Sequence, residues 1–169
     1  MRLYGRIKKN PFRGSLNPFF MLRLILIDEA QMPLALKRAD FIRLIRKTEA
    51  LVPPISEKEV EFVLMGDERM REINSASRGL DKPTDVLSFA NREIQDPTLK
   101  DPHSLGQIFI SVPAAQRNAD EMRQSLEEEV RFLFVHGLLH ILGYDHQTLK
   151  EEKVMMTIAY EVLGRPAYC

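Results

Sequence analysis

Residues 135–147 read VHGLLHILGYDHQ, and this stretch determines more of the architecture than any other part of the sequence. His136 and His140 are four residues apart, so a helix projects both rings from one face. Gly143 follows three residues later, at a spacing typical of a helix that ends in a left-handed turn. The chain then doubles back and brings His146 to the same point. We therefore predict a helix, a glycine turn and three converging imidazoles.

Three converging imidazoles are the donor set of catalytic zinc sites, in which they take three corners of a tetrahedron and leave the fourth to water. Three of the four histidines of the chain lie in this motif. The alternative is a set of ordinary core histidines, but burying unpartnered imidazoles is costly. We therefore predict that His136, His140 and His146 bind one Zn²⁺ per chain. The remaining histidine, His103, lies in a polar stretch and is predicted to be a surface residue.

The spacing H-x3-H-x2-G-x2-H is that of the metzincin peptidases, in which a glutamate follows the first histidine and acts as general base. Gly137 occupies that position here, and glycine cannot accept a proton. Peptide hydrolysis by the usual route therefore loses its base. An ion with three neutral ligands keeps its double charge, lowers the pKa of bound water to about 7 and neutralises a developing oxyanion. Such a centre suits an anionic substrate such as a phosphodiester.

Hydrophobic patterning predicts four strands and five helices in the order β-α-β-α-β-β-α-α-α. The strands are predicted at 22–27, 59–65, 84–89 and 105–111. Helices are predicted to begin near Pro33, Asp67, Pro113 and Ser125, with Asp67 as a cap and Ser125–Glu128 as a capping box. A last helix is predicted from Val154, Ile158 and Val162 at four-residue steps. Two consecutive strands after Pro83 indicate an antiparallel edge. We predict an α+β fold: a small mixed four-stranded β-sheet packed with helices, with a metzincin-like metal helix and glycine turn.

Length and composition favour a single globular domain. The chain has 169 residues, of which 44% are hydrophobic and 28% charged. No window approaches the roughly 18 consecutive apolar residues of a transmembrane helix. The single cysteine, Cys169, cannot form an internal disulfide, which fits a reducing compartment. We predict one domain over residues 21–169, a cytoplasmic location and no membrane association.

The formal net charge of zero hides an uneven distribution. Residues 1–27 carry six basic and no acidic side chains, which leaves 18 basic against 24 acidic side chains in the remainder. Residues 1–20 are therefore predicted to be a basic N-terminal extension without a fixed fold. Because the body is mildly acidic, affinity for a polyanion would come from a local focus of charge and not from a general basic coat.

Residues 77–83 read SRGLDKP and are predicted to form a stiff basic loop before a strand, where binding residues often lie. The Arg78 guanidinium is suited to bidentate contact with a phosphate. Two interpretations of Thr84 and Asp85 stay open, namely hydrogen bonds that fix the loop backbone or a part in positioning substrate. Asp145 is expected to orient a ligand or to cap the turn.

Two stretches resemble the YbeY family of metal-dependent endoribonucleases: HGLLHILGYDH at 136–146 and INSASRGLDKPTDVLSF at 73–89. The likeness spans roughly residues 22–163. The resemblance implies that His136, His140 and His146 are the zinc ligands and that Arg78 lies near the metal, in contact with RNA or the scissile phosphate. It also implies action on single-stranded RNA, 16S ribosomal RNA 3′-end maturation and ribosome quality control. The small ribosomal subunit and ribosome-associated proteins are the partners that it implies.

Two departures from the family pattern stand out. Gln107 replaces an aspartate, and Leu80-Asp81-Lys82 replaces the commoner K-D-K. The general base stays open, with Asp85 and Asp145 as candidates. Two alternative functions also stay open: a metallopeptidase that takes its base from elsewhere, and a non-catalytic ribosome assembly factor in which the metal organises an RNA-binding surface.

Overall fold

A computed structural model describes residues 22–30, 33–55 and 57–166. The strands are β1 (Arg23–Asp28), β2 (Glu59–Met65), β3 (Val86–Ala90) and β4 (Ser104–Ser111). The helices are α1 (Arg38–Glu49), α2 (Asp67–Arg78), α3 (Val112–Met122), α4 (Leu126–Leu142) and α5 (Leu149–Leu163). Two 3₁₀ turns, Asn91–Glu93 and Pro97–Leu99, lie between β3 and β4. The predicted order of strands and helices is confirmed, whereas the N-terminal extension 1–20 and Cys169 lie outside the described residues.

The four strands form one mixed sheet in the order β1-β2-β4-β3. β1, β2 and β4 run parallel, and β3 pairs antiparallel with β4 at the edge. This confirms the α+β class and the antiparallel edge strand. Among the described residues, none of the helices combines the length and apolar character that a bilayer span requires.

The main core lies between the sheet and helices α1, α4 and α5. Its centre is a trio of buried rings, Phe41, Phe62 and Phe134, with centroids 4.8–5.1 Å apart. α4 packs against the sheet and against α1, α3 and α5, so it is enclosed on most sides. This burial explains why residues 130–142 are mostly apolar, with little of the polar face that a surface helix shows. The helix that carries two histidines is therefore a rigid central element.

Two boundary predictions are wrong for local reasons. The first helix begins at Arg38 and not near Pro33, because the backbone of Lys37 is extended. Asp67 does not cap α2, whose N-cap is Gly66. The Asp67 carboxylate instead accepts hydrogen bonds from Ser111 Oγ at 2.6 Å and from Arg117 Nη1 at 2.8 Å.

Arg78 is the last residue of a helix and does not lie in a loop as predicted. α2 continues to Arg78 and ends at Gly79, which has a left-handed φ of 71°. The backbone N–H of Gly79 donates to the Ser75 carbonyl at 3.0 Å. The arginine is thus attached to a regular helix end. Thr84 and Asp85 in turn precede β3, which begins at Val86.

Candidate metal centre

The capping box predicted for α4 is confirmed. Ser125 Oγ accepts a hydrogen bond from the Glu128 backbone N–H at 3.2 Å, and the Glu128 carboxylate accepts one from the Ser125 backbone N–H at 3.0 Å. Acidic side chains in the first turn also complement the positive end of the helix dipole. The start of α4 is thereby fixed, and His136 and His140 lie in its C-terminal half.

The predicted glycine turn ends this helix. Gly143 has a left-handed φ of 104°, and its N–H donates to the His140 carbonyl at 2.9 Å. The N–H of Tyr144 donates to the Leu139 carbonyl at 3.0 Å, which completes a Schellman-type cap. The Tyr144 side chain packs against the main core. The reversal brings His146 back beside the two helical histidines.

The three histidine rings lie in mutual contact. His136 Nε2 and His140 Nε2 are 3.0 Å apart, and the His146 ring centroid lies 5.5 Å and 5.0 Å from theirs. One nitrogen from each ring lies within 4.8 Å of the others. These separations suit a dication held by imidazole nitrogens at about 2.0–2.1 Å.

The electrostatics of the rings favour the form that binds metal. Burial lowers the pKa of His136 to about 4, helped by the neighbouring His140 and His146. Burial also lowers the pKa of His140, with His146 as the next cause. Both rings are therefore neutral at neutral pH, as a metal ligand must be. His136 Nδ1 is buried without a hydrogen-bond partner in the described part of the chain, a cost that functional sites tolerate.

Gly137 lies where the helix touches the sheet. A Cβ built on it would lie 2.9 Å from Ile108 Cγ2, closer than such contacts allow. The position therefore faces β4 and not the histidines' cavity. A glutamate at this point would be driven into the sheet, so the peptidase base is excluded by packing as well as by sequence.

One cavity of about 530 Å³ brings together all seven candidate site residues predicted from the sequence. Its lining includes His136, His140, His146, Arg78, Thr84, Asp85 and Asp145. Arg78 is exposed, and it makes no ion pair or hydrogen bond with any residue that the structure describes. Its guanidinium is therefore available to an anion that enters the cavity.

The two aspartates are held by hydrogen bonds of different kinds. Asp85 Oδ1 accepts from the Val86 backbone N–H at 2.8 Å and from Thr84 Oγ1 at 3.1 Å, and Oδ2 accepts from Asn118 Nδ2 at 2.9 Å. Asp145 Oδ1 accepts from the backbone N–H of His146 at 2.8 Å. The Asp85 carboxylate is thus held at both oxygens, whereas Asp145 makes a local bond within the turn that carries the third histidine.

Arg92 is a cavity residue that sequence reasoning missed. Its guanidinium donates to the carbonyls of Ile141 at 2.7 Å and His140 at 3.2 Å, and it pairs with Glu93 at 3.1 Å. The guanidinium also lies against Gly143, since a Cβ built on this glycine would lie 3.1 Å from Arg92 Nη1. Arg92 therefore ties the turn after β3 to the end of the metal helix. No spacing or periodicity in the sequence signals this contact, which joins residues 48 or 49 positions apart.

Gln107 lies away from the histidines. Its side chain is exposed and donates to Glu61 Oε1 at 3.0 Å, on the face of the sheet opposite α4. Its neighbour Ile108 points the other way, toward Gly137. The departure from the family's aspartate therefore leaves the metal centre unchanged. His103 is exposed, as predicted.

Comparison with known proteins agrees with these features. The family model described as Endoribonuclease YbeY matches residues 27–166. Endoribonuclease YbeY of Acholeplasma laidlawii is 44% identical over 109 residues, which cover 64% of this chain and 75% of that protein. The Geobacillus thermodenitrificans protein of the same name is 41% identical over 151 residues, 85% of this chain and 96% of that one.

A solved structure supports the same assignment at the level of the fold. A Thermotoga maritima protein determined in solution matches with a TM-score of 0.53 and 25% identity, over 85% of this chain and 90% of that chain. The family model covers most of the chain and includes both the histidine motif and the Arg78 region. The chain therefore belongs to the endoribonuclease YbeY family.

Proposed function

We propose that this protein is a zinc-dependent endoribonuclease that cleaves single-stranded RNA in 16S ribosomal RNA 3′-end maturation and in ribosome quality control. Family membership supports RNA as the substrate. The observation that carries the proposal is that three converging imidazoles line one open cavity together with Arg78, which pairs with none of the described residues. The proposal includes a cytoplasmic location, the small ribosomal subunit as partner and ribosome-associated proteins as further partners.

The histidines would hold the ion in this proposal. His136, His140 and His146 supply ring nitrogens, and the Asp145 carboxylate accepts a hydrogen bond from the His146 backbone N–H. A bound zinc ion supplies a Lewis acid for a phosphoryl oxygen and lowers the pKa of water. The imidazoles leave its charge uncompensated, which favours a phosphodiester over a neutral amide.

Arg78 and Asp85 act on the substrate in this proposal. The Arg78 guanidinium binds two phosphoryl oxygens and stabilises the charge that grows on them in the transition state. The Asp85 carboxylate is held beside His136, and it is a candidate to accept a proton in the cavity. Thr84 fixes that carboxylate through its hydroxyl and thus has an indirect role.

The contact between Gly137 and Ile108 leaves no space for a base at the usual peptidase position, so a metallopeptidase would need a base from elsewhere. An assembly factor without catalysis differs from the proposal in turnover alone. Both alternatives are separated from it by direct assays of cleavage.

The test compares the purified wild type with His136→Ala/His140→Ala and Arg78→Ala on single-stranded RNA, duplex RNA and casein. We expect the wild type to cleave only the single strand, and the histidine variant to lose cleavage. Arg78→Ala should lose about 10²–10³ in rate, a typical cost of one transition-state donor. Arg69→Ala, on the same helix and paired with Glu72, is the matched control. Full cleavage by the histidine variant would refute the proposal, and binding without any cleavage by the wild type would favour the assembly factor.

A further inference from the structure

Glu129 is a buried carboxylate for which the proposed reaction has no use. It is 5% exposed, and it is the only ionisable side chain among the buried polar residues in the described part of the chain. It lies seven residues before His136 on α4, which is two helical turns and therefore the same face. Burial raises the pKa of its carboxyl, and hydrogen bonds from Asn118 and Gln124 oppose that effect.

Asn118, on α3, links this carboxylate to the cavity. Its Nδ2 donates to Asp85 Oδ2 at 2.9 Å and to Glu129 Oε1 at 3.3 Å, so both hydrogens of one amide nitrogen bind carboxylates. The second anchor of Glu129 is Gln124 Nε2, and Gln124 Oε1 in turn accepts from Arg165 at 3.0 Å. A continuous polar chain therefore runs from Arg165, just after α5, through the α3–α4 connection, α4 and α3 to the metal cavity.

The two carboxylates determine the orientation of the amide. An asparagine presents either its oxygen or its nitrogen in the same space, and only the nitrogen is compatible with two acceptors. Glu129 therefore keeps the donor end of Asn118 aimed at Asp85. Without that donor, Asp85 Oδ2 would have no hydrogen-bond partner among the described residues. The carboxylate would then be held only through the two hydrogen bonds that Oδ1 accepts.

We infer that Asn118 is a positioning residue, which holds the charged Asp85 carboxylate beside His136 and takes its own orientation from the buried Glu129. This inference rests on the proposed function for its effect on cleavage, although not for its effect on metal binding. Asp85 and His136 line the same cavity, and hydrogen bonds at both oxygens fix the Asp85 carboxylate there. A fixed negative charge in that cavity favours a cation held by the histidines.

The test is a double-mutant cycle between Asn118→Leu and Asp85→Asn, read first as Zn²⁺ affinity in competition with a chelating dye. Loss of an outer partner of a metal site typically costs 10–100-fold in affinity, and we expect about 3–10-fold here because Asp85 intervenes. Asn118→Leu should weaken Zn²⁺ binding in the wild type and have no further effect in the Asp85→Asn background. Gln116→Leu is the matched control, since it lies on α3 and breaks a 2.8 Å bond to the exposed Asp120.

Single-stranded RNA cleavage and RNA binding are measured on the same four proteins. We expect Asn118→Leu to lower kcat with little change in RNA affinity, a division that a general loss of structure would not give. Circular dichroism checks the fold, and Asn118→Ala replaces the leucine variant if that variant is unfolded. Equal Zn²⁺ affinity in wild type and Asn118 variants, or losses that multiply across the cycle, would overturn the inference. A wild type that binds Zn²⁺ but never cleaves RNA would refute the proposed function and leave the metal cycle as a valid test.

Discussion

The contact between Gly137 and Ile108 predicts that Gly137→Ala destabilises the wild type but stabilises a variant in which Ile108 is shortened. In Gly137→Ala, the new methyl carbon would lie 2.9 Å from Ile108 Cγ2, which is fixed to a central strand and cannot swing away. Overpacking of this kind costs about 1–3 kcal/mol. The better helix propensity of alanine offsets about 1 kcal/mol. We therefore expect a net loss of about 1 kcal/mol, or about 2–4 °C in Tm for a domain of this size.

The same substitution should stabilise the protein once the isoleucine is shortened. Ile108→Ala removes all three atoms near the built Cβ and by itself costs about 2–5 kcal/mol. In that background Gly137→Ala meets no obstacle, so the propensity gain of about 1 kcal/mol remains. Urea unfolding of the four proteins gives the coupling energy, which we expect to be about 2 kcal/mol. A destabilisation of equal size in both backgrounds would show that residue 137 does not face the sheet, and the packing argument against a base at this position would fail.

Three further predictions concern charged side chains around the fold. Arg117 holds the pKa of Asp67 below its ordinary value. At neutral pH the free energy of unfolding of the wild type should therefore exceed that of Asp67→Asn by about 1 kcal/mol, allowing for partial exposure. This difference should vanish as the pH falls through the lowered pKa. Urea unfolding between neutral pH and about pH 3 checks this prediction, and a constant difference would contradict it. Burial raises the pKa of Glu129, so its contribution to stability is lost as the pH rises from 4.5 through the raised value. The Tm of Glu129→Gln relative to wild type should therefore rise with pH over that range. A relative Tm that falls with pH would contradict the prediction. Arg92→Ala should free the His140 and Ile141 carbonyls and weaken Zn²⁺ binding about tenfold in dye competition, with Arg69→Ala unchanged as control.

Local signals explain how much of the fold the sequence could predict. The alternation of Val60, Phe62 and Leu64 marks β2, and the capping box at Ser125 marks the start of α4. The histidine spacing and Gly143 together predict the convergence of three rings, because both features act within a few residues. These are cases in which short-range chemistry and the final structure agree.

Contacts between distant segments account for what sequence reasoning did not find. Arg92 meets the His140 carbonyl only because the turn after β3 crosses the end of α4. The link from Glu129 to Asp85 through Asn118 depends on how α3 packs against α4, which no periodicity records. The end of α2 at Arg78 was also missed, since the polar residues from Ser77 onward, with Gly79 among them, resemble a loop.

The central claim is that three histidines hold one metal ion on which RNA cleavage depends. Its most direct test is elemental analysis of the purified protein and of His136→Ala/His140→Ala, with cleavage of a single-stranded fragment of 16S ribosomal RNA measured on the same samples. We expect about one zinc per wild-type chain with cleavage, and neither metal nor cleavage in the double variant. Retention of stoichiometric metal by the double variant, or cleavage by its metal-free form, would contradict the account.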